Sequence, residues 1–274
     1  MTRATPTHIR DRRVHIAAVG YYLDRVWEVP IREDADRLWL VTHEPAEKDQ
    51  AREFVDAIVA HIKRTSPRME VQIARANMWD LDSLVRAFSN LVRKEVDAGN
   101  LVSVNISTGS KLEAAAGHLA AMAWGASAYY VIATSQDRPG SKIAKGRPEG
   151  PTPAAWGFGG KIELPAYRLD RPDVDALRAM EALQRIGATG DVWKRKKKLL
   201  EKMEVSSMAD QMRLNRVLER LSRDPPKVEQ EGATRRRSVR LTREGALTLL
   251  LFGEPTTAGA SPLSEATPRG RGTS

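Results

Sequence analysis

Three hydroxyl side chains, a glycine and a lysine stand together in Ser107-Thr108-Gly109-Ser110-Lys111. Ahead of them runs Leu101-Val102-Ser103-Val104-Asn105-Ile106, short, apolar and β-branched, the pattern of a buried strand. Behind them runs Leu112 to Trp124, rich in Ala and Leu, the pattern of a helix packed closely on a sheet. A strand ending in a small polar turn that opens a helix presents backbone N–H groups and the positive end of the helix dipole. Lys111 adds a full charge, and such a turn is suited to holding a phosphate. The spacings GxxxxGK[ST] and GxGxxG are both absent. The same residues also read as an ordinary helix start, with Ser110 or Thr108 as cap and Lys111 in solvent.

The elements that must position this turn alternate along the chain. Val14–Val19 reads as a first strand, ended by Gly20 and a loop with Tyr21 and Asp24. A helix is expected over Arg25–Arg32, with Pro30 in its first turn or breaking it. Arg37–Thr42 reads as a strand, Glu47–Arg64 as an amphipathic helix and Glu70–Ala74 as a strand. A helix capped by Asp80 or Asp82 and stopped by Gly99 follows, then the strand 101–106, the helix Lys111–Trp124 and a strand over Ala126–Ala133. Strands alternating with helices of this length predict α/β architecture, a Rossmann-like and mostly parallel sheet with helices on both faces. Ligands of such sheets bind outside the carboxyl ends of the strands, where strand order reverses. The loops after the first and fourth strands would meet there. Thr134–Gly160, crowded with Pro and Gly, reads as a long loop, and Lys161–Leu169 as an antiparallel edge strand.

Composition bounds the function. The chain has 274 residues, enough for two domains, and no cysteine. Disulfides, cysteine nucleophiles and thiolate metal sites are thereby excluded, and a cytoplasmic location is expected. No apolar run is long enough for a membrane span, and the basic stretch Met1–Arg13 does not read as a secretory signal. The five histidines are scattered and no carboxylate cluster has ligand spacing, so no metal and no cofactor is expected. Net charge is +9. From Asp191 to Arg243 there are 16 Lys and Arg against 8 Asp and Glu, a net of +8, which leaves +1 for the rest. That asymmetry predicts an anionic partner for the C-terminal region.

Beyond the hinge Asp170-Arg171-Pro172, helices are expected over Asp173–Ile186, over the basic stretch Asp191–Met203, and from Ser206 or Ser207 to Leu221. Lys227–Glu229 and Ser238–Leu241 flank a basic tip, a hairpin that leads through Thr242-Arg243-Glu244-Gly245 into a last helix, Ala246–Leu251. Residues after Glu254 read as a disordered tail.

The order of elements, the glycine-aromatic loop after the first strand and Asn105-Ile106-Ser107-Thr108-Gly109-Ser110-Lys111 after the fourth resemble a CRISPR-associated Rossmann-fold (CARF) domain over roughly Arg13 to Asp170. That resemblance implies a homodimer whose paired loops form one two-fold pocket for cyclic oligoadenylate, a second messenger of type III CRISPR antiviral defence. Gly20, Tyr21 and Asp24 with Asn105, Ser107, Thr108, Gly109, Ser110 and Lys111 would be its ligand-binding residues. The family motif often has a second glycine where this chain has Thr108 or Ser110. The C-terminal region resembles a winged helix-turn-helix, a small α+β domain. Gln211, Arg213, Asn215 and Arg216 would face a major groove. Arg235, Arg236 and Arg237 would reach phosphate or minor groove, and Lys194, Lys196 and Lys197 would contact the backbone of double-stranded DNA. A winged helix used for dimerisation, its charge merely solvated, is the competing reading of that region.

The expected organisation is therefore an N-terminal arm (1–12), a ligand-sensing and dimerisation domain (13–170), a DNA-binding domain (171–253) and a tail (254–274). The expected function is a homodimeric, ligand-responsive transcription regulator. The alternative is a ring nuclease that binds and slowly cleaves cyclic oligoadenylate, with Ser107, Ser110 and Lys111 as the catalytic suspects. A CRISPR effector ribonuclease, with an Arg-x4-6-His pair in its C-terminal domain, is disfavoured because every histidine precedes Leu119.

Overall fold

The computed structural model describes residues 11–20, 22–45, 49, 51–133, 158–233 and 236–254. It divides into two compact units, one through Arg168 and one from Leu169 to Thr257.

The first unit is a six-stranded sheet wrapped by four helices. Its elements are β1 (Arg13–Ala18), α1 (Asp24–Arg32), β2 (Arg37–His43), α2 (Arg52–Thr65), β3 (Glu70–Ala76), α3 (Leu81–Asp97), β4 (Leu101–Asn105), α4 (Lys111–Trp124), β5 (Ser127–Ala133) and β6 (Phe158–Glu163). Strand order is β3-β2-β1-β4-β5-β6, parallel throughout except β6, which runs antiparallel to β5. The chain winds outward from β1 one way through β2 and β3, and the other way from β4, so order reverses between β1 and β4. Alternate strand residues serve the two faces. Ala17, Leu38 and Leu40 pack with Leu23, Val26, Phe54 and Ile58 of the α1–α2 side. On the opposite face Trp39 reaches α3, its indole N–H donating to Glu95 at 2.7 Å. The small residues of α4 let it lie close. A Cβ on Gly117 would stand 3.0 Å from Val104 and 3.4 Å from Phe88.

A partly buried polar set ties the end of α1 to the sheet. His15 Nδ1 lies 3.0 Å from the Tyr129 hydroxyl, and its Nε2 lies 3.3 Å from the Glu33 carboxylate. Lys161 of β6 closes the set, donating to Glu33 at 2.8 Å. The His15 hydrogen bond, helped by Lys161, outweighs partial burial and holds the Glu33 carboxyl down at about 2.

The second unit holds α5 (Val174–Arg185), β7 (Lys194–Arg195), α6 (Lys196–Lys202), α7 (Met208–Leu221), β8 (Val228–Glu231), β9 (Ser238–Leu241) and α8 (Arg243–Phe252). Its sheet is antiparallel, in the order β7-β9-β8. Met180, Leu183, Leu199, Leu218, Val228, Val239 and Leu241 form its core. Asp173, Ser207 and Thr242 cap its helices by accepting backbone N–H groups of Ala176, Asp210 and Gly245 at 2.8, 3.0 and 3.1 Å.

Several expectations need correction. Pro30 neither opens nor breaks α1 but sits in its last turn, where it is buried. Its packing offsets the one backbone donor that proline removes. The helix expected from Glu47 begins at Arg52, after the Asp49 carboxylate accepts the Ala51 N–H at 2.8 Å. The edge strand spans Phe158–Glu163, not Lys161–Leu169, so residues 158–160 belong to it and not to the long loop; positions 134–157 lie outside the described residues. The basic helix expected over 191–203 is only α6. Lys194 and Arg195 instead pair with Val239 and Ser238 of β9. The final helix starts three residues early, at Arg243, because Thr242 caps it.

Candidate functional site

Asn105, at the end of β4, is buried and holds the phosphate-type turn in place. Its side-chain amide donates to the Arg25 carbonyl of α1 at 2.6 Å. Its carbonyl oxygen accepts both the Ser107 hydroxyl and the Ser107 N–H, the latter at 2.9 Å. Gly109 then takes φ +78°, the left-handed region that favours glycine. This brings the turn against the loop after β1, where a Cβ on Gly20 would lie 2.7 Å from Gly109 N and 3.2 Å from its Cα. The two loops expected to meet at the β1/β4 reversal thus touch backbone to backbone.

A cleft of about 260 Å³ opens over this contact. Gly20, Thr108, Gly109 and Ser110 line it. Thr108 is 3% exposed, and its hydroxyl is buried without a hydrogen-bond partner. A buried hydroxyl left unpaired is costly, and a ligand's acceptor or donor would relieve the cost. Also lining it are Tyr22 of the loop after β1, His43 of β2, Asp49 and Ala51 before α2, and Met78 and Trp79 before α3.

The start of α4 differs from a bare phosphate cradle. Ser110 caps the helix, its hydroxyl accepting the Glu113 N–H at 3.4 Å, while the Glu113 carboxylate accepts the Ser110 N–H. This capping box occupies two of the donors that the sequence suggests are free, and leaves the N–H groups of Lys111 and Leu112. Glu113 is 4% exposed and also lines the cleft; burial pushes its carboxyl up, against the Ser110 hydrogen bonds.

Of the remaining expected ligand residues, Lys111 is exposed at the mouth of α4 and Asp24 lies at the start of α1, neither lining the cleft. Burial, with Glu28 nearby, pushes Asp24 up to about 6. Tyr21 lies outside the described residues. The hydroxyls named for ring cleavage are both engaged, Ser107 on Asn105 and Ser110 on α4. Sequence reasoning missed Tyr22, His43, Asp49, Met78, Trp79 and Glu113. The parallel sheet was the available signal for His43, Met78 and Trp79, since it brings the ends of β2 and β3 to the same edge as those of β1 and β4. Among the described residues there is no group of His, Cys, Asp and Glu that could hold a metal, and no helix long and apolar enough to cross a membrane.

In the second unit the expected DNA-contacting residues divide. Gln211 and Arg216 are exposed on α7. Arg213 is held by Asp175 of α5 at 2.6 and 2.7 Å, and Asn215 accepts the Lys196 ammonium. Lys194 lies on β7; Lys197 is exposed, 3.8 Å from Glu201. Arg236 is exposed at the tip of the β8–β9 hairpin, Arg237 reaches Gln230 at 3.5 Å, and Arg235 lies outside the described residues.

The first unit is thus an open α/β sheet with a ligand-sized cleft at its reversal point. A family model described as "HFX_2341_N:-like, N-terminal" matches residues 13–136. The uncharacterized protein MJ1513 of Methanocaldococcus jannaschii is 32% identical over 111 residues, 40% of this chain and 33% of that protein. The chain therefore spans about a third of the length of that curated relative. Similar solved structures include Can2 from Sulfobacillus thermosulfidooxidans in complex with cyclic tetra-adenylate. It is 13% identical with a TM-score of 0.38, over 87% of this chain and 61% of that one. Enterococcus italicus Csm6 bound to cyclic hexa-2′-fluoro-hexa-dAMP is 13% identical with a TM-score of 0.37, over 45% and 34%. VC1899 from Vibrio cholerae is 10% identical with a TM-score of 0.35, over 87% and 64%.

Proposed function

We propose that the first unit is a CARF-type sensor for a cyclic oligoadenylate or related phosphate-bridged nucleotide, and that the second is a winged helix that reads double-stranded DNA, the chain acting as a homodimeric transcription regulator. The observation that carries the sensor half is the buried, unpartnered Thr108 hydroxyl at a cleft where Gly20 and Gly109 meet without room for a side chain. The N–H groups of Lys111 and Leu112, the helix dipole and the Lys111 ammonium add positive potential at the same turn. A ligand of two-fold symmetry suits two copies of one site in an isologous dimer. For the second half, support comes from the element order. Helix, short strand, two helices, hairpin and helix, with the short strand at the edge of the hairpin, is the order of a winged helix. Gln211 and Arg216 on α7 are its exposed base-reading candidates, and Lys197 and Arg236 its phosphate contacts.

Isothermal titration of the full chain with cyclic tri-, tetra- and hexa-adenylate tests the sensor. The expected result is binding of one ring size at one ligand per dimer, weakened by Lys111→Ala. Silence from all three rings sinks the cyclic oligoadenylate reading and leaves the turn as either a site for another phosphate ligand or only a helix cap.

A further inference from the structure

Five tryptophans lie among the described residues, and four have an evident task. Trp27 stacks on His61, Trp39 bonds Glu95, Trp124 bonds Ser89, and Trp193 carries Arg240 on its ring. Trp79 has none of these. It is 76% exposed, yet it lines the same cleft as the Thr108–Ser110 turn. Its backbone, by contrast, is pinned. The Met78 N–H donates to His43 Nδ1 at 3.2 Å and the Trp79 N–H to the Asn77 side chain at 3.1 Å. The Asn77 N–H donates to the Ser83 hydroxyl at 2.9 Å, and Asp80 caps α3. An exposed indole on a fixed loop is a flat apolar platform that loses little freedom on binding.

We infer that Trp79 stacks a purine base of the nucleotide whose phosphate is held at the β4 turn, so that the cleft is divided into a phosphate side and a base side. This rests on the sensor reading above. Stacking needs only a π-face, so it sets affinity for bases generally. Met78 and Tyr22, which line the same cleft, add apolar surface.

The test titrates cyclic tri-, tetra- and hexa-adenylate into the wild-type chain, Trp79→Ala and Trp79→Phe, following both heat and indole emission. The expected result is affinity lower by roughly tenfold or more in Trp79→Ala and restored to within about threefold in Trp79→Phe. Quenching of emission on binding should diminish in Trp79→Phe although binding persists. Melting temperatures should match the wild type, since the ring is exposed. Equal affinity of Trp79→Ala and wild type overturns the base platform and leaves the sensor standing. Loss in both variants overturns it too, because an aromatic ring then does not suffice. Binding of no ring by the wild type overturns the sensor reading and this inference together.

Discussion

At the scale of single residues, Thr108 and Asp24 each hold a polar group in a surrounding that does not favour it. Thr108 is buried, and its hydroxyl has no hydrogen-bond partner. Thr108→Val keeps the shape and removes the unpaired oxygen, so the free protein should gain about 1 kcal/mol, read as a higher denaturation midpoint. Cyclic adenylate affinity should fall at the same time. Gain without loss would mean the hydroxyl faces no ligand. Asp24 is pushed the other way from most carboxylates, up to about 6 from its ordinary 3.8. The folded chain therefore holds this proton more tightly than the unfolded chain. Stability falls as pH rises from about 3.8 to about 6, and the deficit is complete above that window. Asp24→Asn should leave stability unchanged below the window and raise it above. Parallel melting curves from pH 3.5 to 7.5 check this, and identical slopes for the two proteins would refute the burial of Asp24 as the cause.

At the scale of elements, the site exists because two loops from non-adjacent segments are forced together. Parallel pairing of β1 with β4 places Ala17 opposite Asn105, and the chains then leave the sheet side by side. Gly20→Ala would set a Cβ 2.7 Å from a backbone nitrogen that cannot turn away. It should cost about 1–3 kcal/mol in the first unit and, on the proposed reading, abolish ring binding while sparing the duplex affinity proposed for the second unit. Unchanged stability would show that the loops separate freely. Much of this layer was legible in sequence, because the 3.6 and 2.0 periods, the capping residues and the Ser107–Lys111 turn are local signals. What was not legible is non-local. Lys194 and Arg195 look like the start of a helix until β9, more than forty residues on, supplies a strand partner. Trp79 looks like core by residue type, and only the packed loop shows it facing out. The capping box, by contrast, was open to reading: Ser110 and Glu113 stand at the Ser-x-x-Glu spacing, and the reach of Glu113 back to Ser110 is what removes donors from the phosphate turn.

At the scale of the whole molecule, the charge is divided as sharply as the fold, with a net of +8 between Asp191 and Arg243 and +1 elsewhere. If the proposed regulator is right, duplex affinity belongs to the basic unit and should fall steeply with salt, each phosphate contact contributing about one unit to the slope of log affinity against log salt. Lys197→Ala and Arg236→Ala should each lower that slope by about one and weaken all sequences alike. Arg216→Ala should instead flatten the preference for the best site. Regulation adds a stronger constraint, because coupling between two ligands on one protein is reciprocal. If a cyclic adenylate changes duplex affinity by some factor, the duplex must change ring affinity by that same factor. Titrating ring into the protein–duplex complex, and duplex into the protein–ring complex, measures both sides of the cycle. Equal factors different from one establish a ligand-responsive regulator. Factors of one on both sides, with each ligand binding well, mean that the two units only share a chain, and that duplex binding is not what the ring controls.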